Sequence, residues 1–160
     1  MTAHRTENVD DKESLHSIVG ALNLISKQFP VVFSLHPRTK DKLKATKLKF
    51  FNNVILNTPF GFFDFVKLES KAKLVISDSG TVQEECCILK VPSITIRNST
   101  ERQETVECGS NILSGTRTDQ IMRIFKVLID RSYNWNPPED YIGDNVSDVV
   151  INILLGEITY

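Results

Sequence analysis

The stretch Lys73-Leu74-Val75-Ile76-Ser77-Asp78-Ser79-Gly80-Thr81-Val82-Gln83-Glu84-Glu85 decides the fold. A short, continuously apolar run reads as a strand covered on both faces. Asp78-Ser79-Gly80 then turns, and a helix is expected over 81–89. The same grammar recurs on either side. Upstream, Leu15, Ile18, Val19, Leu22 and Ile25 fall at helical spacing within 10–29, with Asp10 or Asp11 able to cap the start. Pro30 ends that helix, and Val31–Leu35 and 53–56 read as strands. A charged helix is expected between them at 38–48, and a second helix at 62–71. Downstream, strands are expected at 92–96 and 111–113, an amphipathic helix at 117–131, a loop with Trp135 and Pro137-Pro138 at 132–143, and a last amphipathic helix at about 144–155. Alternating strands and helices predict a parallel sheet with helices on both faces, a Rossmann-like three-layer α/β sandwich.

Composition narrows the function classes. The chain has 160 residues, 41% hydrophobic and 24% charged, with a net charge of −1. It is long enough for one domain with a real core. There is no basic excess to neutralise a nucleic-acid backbone. No apolar run approaches the roughly 20 residues of a membrane span, and Met1–Arg5 does not read as a secretory signal. Three cysteines, two of them adjacent, argue for reduced thiols in the cytoplasm and against a disulfide or zinc framework. Cys86 and Cys87 read as packing residues.

In such a sheet, ligands bind beyond the carboxyl ends of the strands. His36-Pro37-Arg38, Thr58-Pro59-Phe60-Gly61, Asp78-Ser79-Gly80-Thr81, Arg97–Arg102 and Ser114-Gly115-Thr116 therefore share one edge. They supply what an anionic, ring-bearing ligand needs. The first amides of the helix after Gly80 lack internal partners and face an anion with the positive end of the helix dipole. Gly80 permits close approach, and Glu85, one turn in, could accept from sugar hydroxyls. Ser79 and Thr81 serve equally well as ordinary helix caps. Arg102 could clamp a diphosphate or form a surface ion pair with an acid. His36 reads as a proton donor or a loop residue. Phe60, Phe62, Phe63 and Phe65 read as a stacking platform or as core beneath a loop.

Three motifs in register carry a resemblance: Ala3-His4-Arg5-Thr6-Glu7-Asn8, Ser77–Glu85, and Thr100-Glu101-Arg102-Gln103-Glu104. Over essentially its whole length the chain resembles the C-terminal half of the non-hydrolysing UDP-N-acetylglucosamine 2-epimerase family. His36-Pro37-Arg38-Thr39, Pro59–Asp64 and Glu107–Asn111 resemble the branch that makes UDP-N-acetyl-L-fucosamine for capsule and O-antigen synthesis. The resemblance implies one half of a glycosyltransferase-B-like two-domain fold, residues 1–160 being the nucleotide-binding domain.

By resemblance, His4 reaches the diphosphate or sugar and is the one catalytic candidate, Phe65 lies near the uracil, Ser79, Gly80 and Thr81 hold the diphosphate, Glu85 binds ribose, and Arg102 contacts the nucleotide. Thr81 stands where many members have Gly, and Gln103 replaces a common Pro. The implied reaction inverts C2 of a UDP-sugar through elimination and re-addition of UDP, with no cofactor and no metal. The family's proton-transferring carboxylates belong to an N-terminal domain. The expectation is a truncated piece, a split gene product or a remnant: inactive alone, needing that domain or a partner chain, and a homo-oligomer when intact. A strand expected before His4 is cut short, which predicts an exposed sheet edge and self-association. A nucleotide-sugar binding module and half of a glycosyltransferase are the alternatives.

Overall fold

Every crossover in this chain joins one parallel strand to the next, and the helices arise where apolar spacing shifts from continuous to helical. The computed structural model describes residues 1–156. Its elements are β1 (Thr2–Ala3), α1 (Thr6–Val9), α2 (Lys12–Ile25), β2 (Val31–Leu35), α3 (Pro37–Thr46), β3 (Val54–Asn57), α4 (Phe62–Lys71) and β4 (Val75–Ser77). There follow α5 (Gly80–Ile88), β5 (Ser93–Thr95), α6 (Gln103–Glu107), β6 (Asn111–Leu113), α7 (Thr118–Ile129), α8 (Glu139–Ile142) and α9 (Val146–Leu155). The six strands among the described residues form one parallel sheet in the order β3-β2-β1-β4-β5-β6. The strand order reverses between β1 and β4, the place where a doubly wound sheet opens a crevice beyond its strand ends.

Local rules place the helices. The Asp11 carboxylate accepts from the Ser14 amide at 2.8 Å and caps α2. Leu15, Ile18, Val19, Leu22 and Ile25 are all buried, as their spacing requires. In α7 the buried stripe is Ile121, Ile124, Phe125, Leu128 and Ile129. These two helices pack together, α7 also meeting β5, and Phe33 of β2 is buried in the same, larger core cluster. On the other face, Val82 and Cys86 of α5 meet Val75 and Val91, with Phe65 of α4 packed against them. Burying each such side chain contributes about 1.5–3 kcal/mol before chain entropy is counted.

The structure corrects three expectations. Thr2–Ala3 is a central strand, not a lost edge: Thr2 pairs with Ser34 of β2 and with Ser77 of β4. The sheet's edges are β3 and β6, so the predicted exposed edge beside His4 does not exist. Two residues are too few to show a strand pattern, and pairing on both sides supplies what length lacks. The loops at 97–105 and 132–143 contain the starts of α6 and all of α8. Helix α9 buries none of its residues, and Val149, Val150, Ile153 and Leu154 are all exposed, so no buried face matches the amphipathic reading. Trp135 is buried, its indole N–H donating to the Cys87 carbonyl at 3.0 Å. No helix of the described residues is long and apolar enough to cross a membrane.

Candidate functional site

The reversal point of the sheet brings the end of β1 against the end of β4, and Asp78 is the joint. Its carboxylate is fully buried. It accepts from the His4 amide (2.9 Å), the Arg5 amide (2.9 Å) and the Asn8 side-chain amide (3.0 Å). His4 Nδ1 lies 3.1 Å from the second carboxylate oxygen. Asn8 also donates to the Ile96 carbonyl at 3.0 Å, so β5 is tied to the same point. Burial pushes the Asp78 carboxyl up, but the bonds from the His4 ring and from the Arg5 and His4 amides outweigh it and hold it below the usual range. The same ring bond raises His4 above the ordinary histidine value against its partial burial. The imidazolium is thereby favoured and its orientation fixed. His36 caps α3, accepting from the Arg38 amide at 3.3 Å, and its ring centroid stands 5.5 Å from that of His4.

The opposite wall is the opening turn of α5. Ser79 stands at the N-cap but makes no side-chain cap bond. Its hydroxyl pairs instead with that of Thr81 at 3.0 Å. A Cβ placed on Gly80 would sit 4.0 Å from the guanidinium carbon of Arg102 and 3.0 Å from a Glu101 carboxylate oxygen. Arg102 therefore stands over the turn. In the structure it is ion-paired with Glu84. Glu101 is held by Arg97 at 2.9 Å and Arg5 at 3.2 Å, so three guanidinium groups gather around this end of α5.

A neutral network positions Arg102. Gln83, buried one turn into α5, donates to the Ser79 carbonyl at 3.2 Å. Its amide oxygen accepts from the Thr100 hydroxyl (2.7 Å) and from the Asn111 amide (3.0 Å). Thr100 in turn accepts from the Arg102 amide at 3.0 Å, and the Thr105 hydroxyl donates to the Arg102 carbonyl at 2.7 Å. The turn at Ser79 and the loop at Arg102 are thus one hydrogen-bonded unit.

The remaining candidates stand further along α5 and on α4. Glu85 faces the buried Glu69 of α4. Burial, then the neighbouring Glu85, pushes Glu69 up to about 8, and burial raises Glu85 too. Glu69 is thereby favoured in its neutral form near neutral pH. Phe65 is partly buried against Val75, Val82 and Cys86 and lines an apolar cavity of 360 Å³ beside Glu69. Phe62 and Phe63, by contrast, are exposed. Asp78, Gln83 and Glu69 were not singled out from the sequence. An acid before a Ser-Gly turn reads as a turn residue, and a Gln or Glu inside a helix carries no local signal. Among the described residues, no cluster of three or more His, Cys, Asp or Glu could hold a metal ion.

The fold defines a Rossmann-like α/β domain with its crevice where the strand order reverses, and comparison with known proteins places it further. The family model for UDP-N-acetylglucosamine 2-epimerase matches residues 1–155. The chain belongs to that family. It is 44% identical over 144 residues to UDP-N-acetylglucosamine 2-epimerase of Methanocaldococcus jannaschii, covering 86% of this chain and 39% of the relative. It is 43% identical over 132 residues to UDP-2,3-diacetamido-2,3-dideoxy-D-glucuronate 2-epimerase of Pseudomonas aeruginosa, covering 82% of this chain and 37% of that protein. The crystal structure of the M. jannaschii enzyme in complex with UDP-GlcNAc and UDP superposes with a TM-score of 0.84 at 42% identity, over 96% of this chain and 43% of that one. The chain thus spans about 40% of the length of the relatives it matches.

Proposed function

We propose that this chain is the UDP-binding half of a UDP-N-acetylhexosamine 2-epimerase. The observation that carries the reading is the stance of Arg102 over Gly80, 4.0 Å from the Cβ position, with unpaired helix amides beneath it. A diphosphate laid there meets the amides of α5 and exchanges Glu84 for itself on Arg102. His4, oriented by Asp78, faces the same crevice as a cation or proton donor. Glu85 offers its carboxylate to ribose, and Phe65 closes the apolar wall near the base. Ser79 and Thr81 add hydroxyls, and His36 flanks His4.

The reaction is inversion at C2. The C2 proton leaves as the C1–O bond breaks and UDP departs; proton and UDP then return, the proton on the other face. Breaking C–O places negative charge on the leaving diphosphate. Arg102, the α5 amides and the His4 imidazolium are preorganised to receive it. The carboxylates that move the C2 proton come from a second domain or a partner chain that closes the cleft, so this polypeptide alone binds UDP and does not epimerise. The sugar we favour is that of the UDP-N-acetyl-L-fucosamine branch, in surface-polysaccharide synthesis in the cytoplasm, on the strength of His36–Thr39, Pro59–Asp64 and Glu107–Asn111.

Calorimetric titration of UDP tests the reading. Binding is expected in the wild-type chain, weakened in Arg102→Ala and Glu85→Gln. Absence of heat with UDP overturns it. Turnover of candidate UDP-sugars, after the chain is joined to a family N-terminal domain, ranks the branch assignment.

A further inference from the structure

The site leaves one reactive pair unused. Cys87 is fully buried in the last turn of α5, and Cys108 is partly exposed at the C-cap of α6. Their Sγ atoms lie 3.6 Å apart. The two residues are 21 apart in sequence, so the contact is a product of tertiary packing. Cys86, one residue away, is turned into the Val75, Val82 and Val91 cluster, so the pairing is specific. A disulfide needs an S–S distance of about 2.05 Å. Cys108 can supply that closure, because its thiol is held only by weak bonds to the Thr105 carbonyl (3.5 Å) and the Ser110 hydroxyl (3.4 Å). The Cys87 backbone cannot follow, since its carbonyl is held by Trp135.

We infer that Cys87 and Cys108 form a redox-sensitive pair, which a hydroperoxide joins into an intramolecular disulfide that ties the end of α5 to the end of α6. The chemistry balances in two steps. The Cys108 thiol gives up its proton and its sulfur attacks one oxygen of hydrogen peroxide; the O–O bond breaks, the departing hydroxide takes up that proton and leaves as water, and Cys108 becomes a sulfenic acid. The Cys87 sulfur then attacks the sulfenic sulfur, the S–S bond forms, and a second water carries away the hydroxyl and the Cys87 proton. Two thiols are oxidised by two electrons and one hydrogen peroxide is reduced to two waters. Only Cys108 needs to meet the oxidant, and it is the more accessible thiol.

The tie has a consequence for the crevice. Arg102 is the N-cap of α6, and Gly80 opens α5. A covalent link between the far ends of these helices restricts the arm that carries Arg102 relative to the turn that carries Gly80. That link to nucleotide binding rests on the function proposed above; the pairing does not.

The test treats the 160-residue chain with hydrogen peroxide, alongside Cys108→Ser. The intact wild-type chain is expected to lose about 2 Da, the mass of two hydrogens given up per disulfide. Peptide mapping is expected to find Cys87 joined to Cys108, with reversal by dithiothreitol and no link in the variant. Amide hydrogen exchange across 103–108 is expected to slow by about tenfold in the oxidised chain, as local opening is suppressed. A Cys86–Cys87 link, no link, or a link that leaves exchange across 103–108 unchanged overturns the proposal. UDP titration of the oxidised and reduced forms is read separately: failure of both to bind counts against the nucleotide reading, while the mass map still decides the pairing.

Discussion

Two hubs hold the two walls of the crevice, and they are built from opposite chemistry. At the β1–β4 junction a single buried carboxylate, Asp78, gathers two backbone amides, the Asn8 amide and the His4 ring. At the α5–α6 wall a neutral amide, Gln83, gathers Ser79, Thr100 and Asn111. The charged hub makes its wall sensitive to pH and to loss of one atom's charge. The neutral hub holds an arginine in place without responding to protons. The difference teaches that the fixed positive character of the site is set by Arg102, and the adjustable part by His4.

Asp78→Asn attacks the charged hub and carries the largest expected effect. An amide cannot satisfy every donor that now points at the carboxylate, and it removes the His4 counter-charge. Stability is expected to fall by roughly 2–4 kcal/mol, measured by urea unfolding. The pH dependence separates the ionic part from the packing part. His4 has a folded pKa above its unfolded value of about 6.5. Its contribution is therefore complete below about pH 6.5 and is lost as pH rises through the folded value. Asp78 has a folded pKa below its unfolded value of about 3.9. Its contribution is present above about pH 4 and is lost as pH falls through the folded value. Asp78→Asn should flatten the loss that sets in as pH rises above about 6.5. A variant that keeps the wild-type slope would assign that slope to another group.

Gln83→Leu attacks the neutral hub. Thr100 and Asn111 lose a partner in a buried setting, which costs about 1–3 kcal/mol. The expected unfolding midpoint is lower, with no change in its pH slope; a changed slope would erase the distinction between the hubs. Arg102→Ala sharpens the comparison from the ligand's side. Its pair with Glu84 is partly exposed and is worth about 0–1 kcal/mol, so stability should hardly move. UDP affinity should drop by about tenfold or more, since a charge-assisted bond is lost. The smallest effect is expected at α9. Leu154 is 77% exposed, and Leu154→Ser should change the chain's stability by no more than about 0.5 kcal/mol in the same urea assay.

Much of this was legible before any coordinates. The helical stripes of α2 and α7 are short-range patterns, and burial followed them residue for residue. The turn at Ser79-Gly80 and the placement of Arg102 beside it, beyond the carboxyl ends of the strands, followed from the strand–helix order, because parallel strands send all their carboxyl ends one way. Other features were not legible. Strand β1 is two residues long, too short for any pattern, and is made a strand by its neighbours. The partners of Asp78 lie 70 or more positions away. Exposure along α9 departs from its apolar composition: none of its residues is buried.

The sequence by itself determined the alternation of elements, the faces that enter the core and the edge to which the strands send their carboxyl ends, since all three depend on neighbours within a turn or a strand. Tertiary structure alone decided which polar groups meet: Asp78 with His4, Gln83 with Thr100 and Asn111, Cys87 with Cys108. Those meetings need backbone segments distant in the chain to approach within hydrogen-bond or van der Waals range, and only the packed sheet and its two helical layers fix such distances.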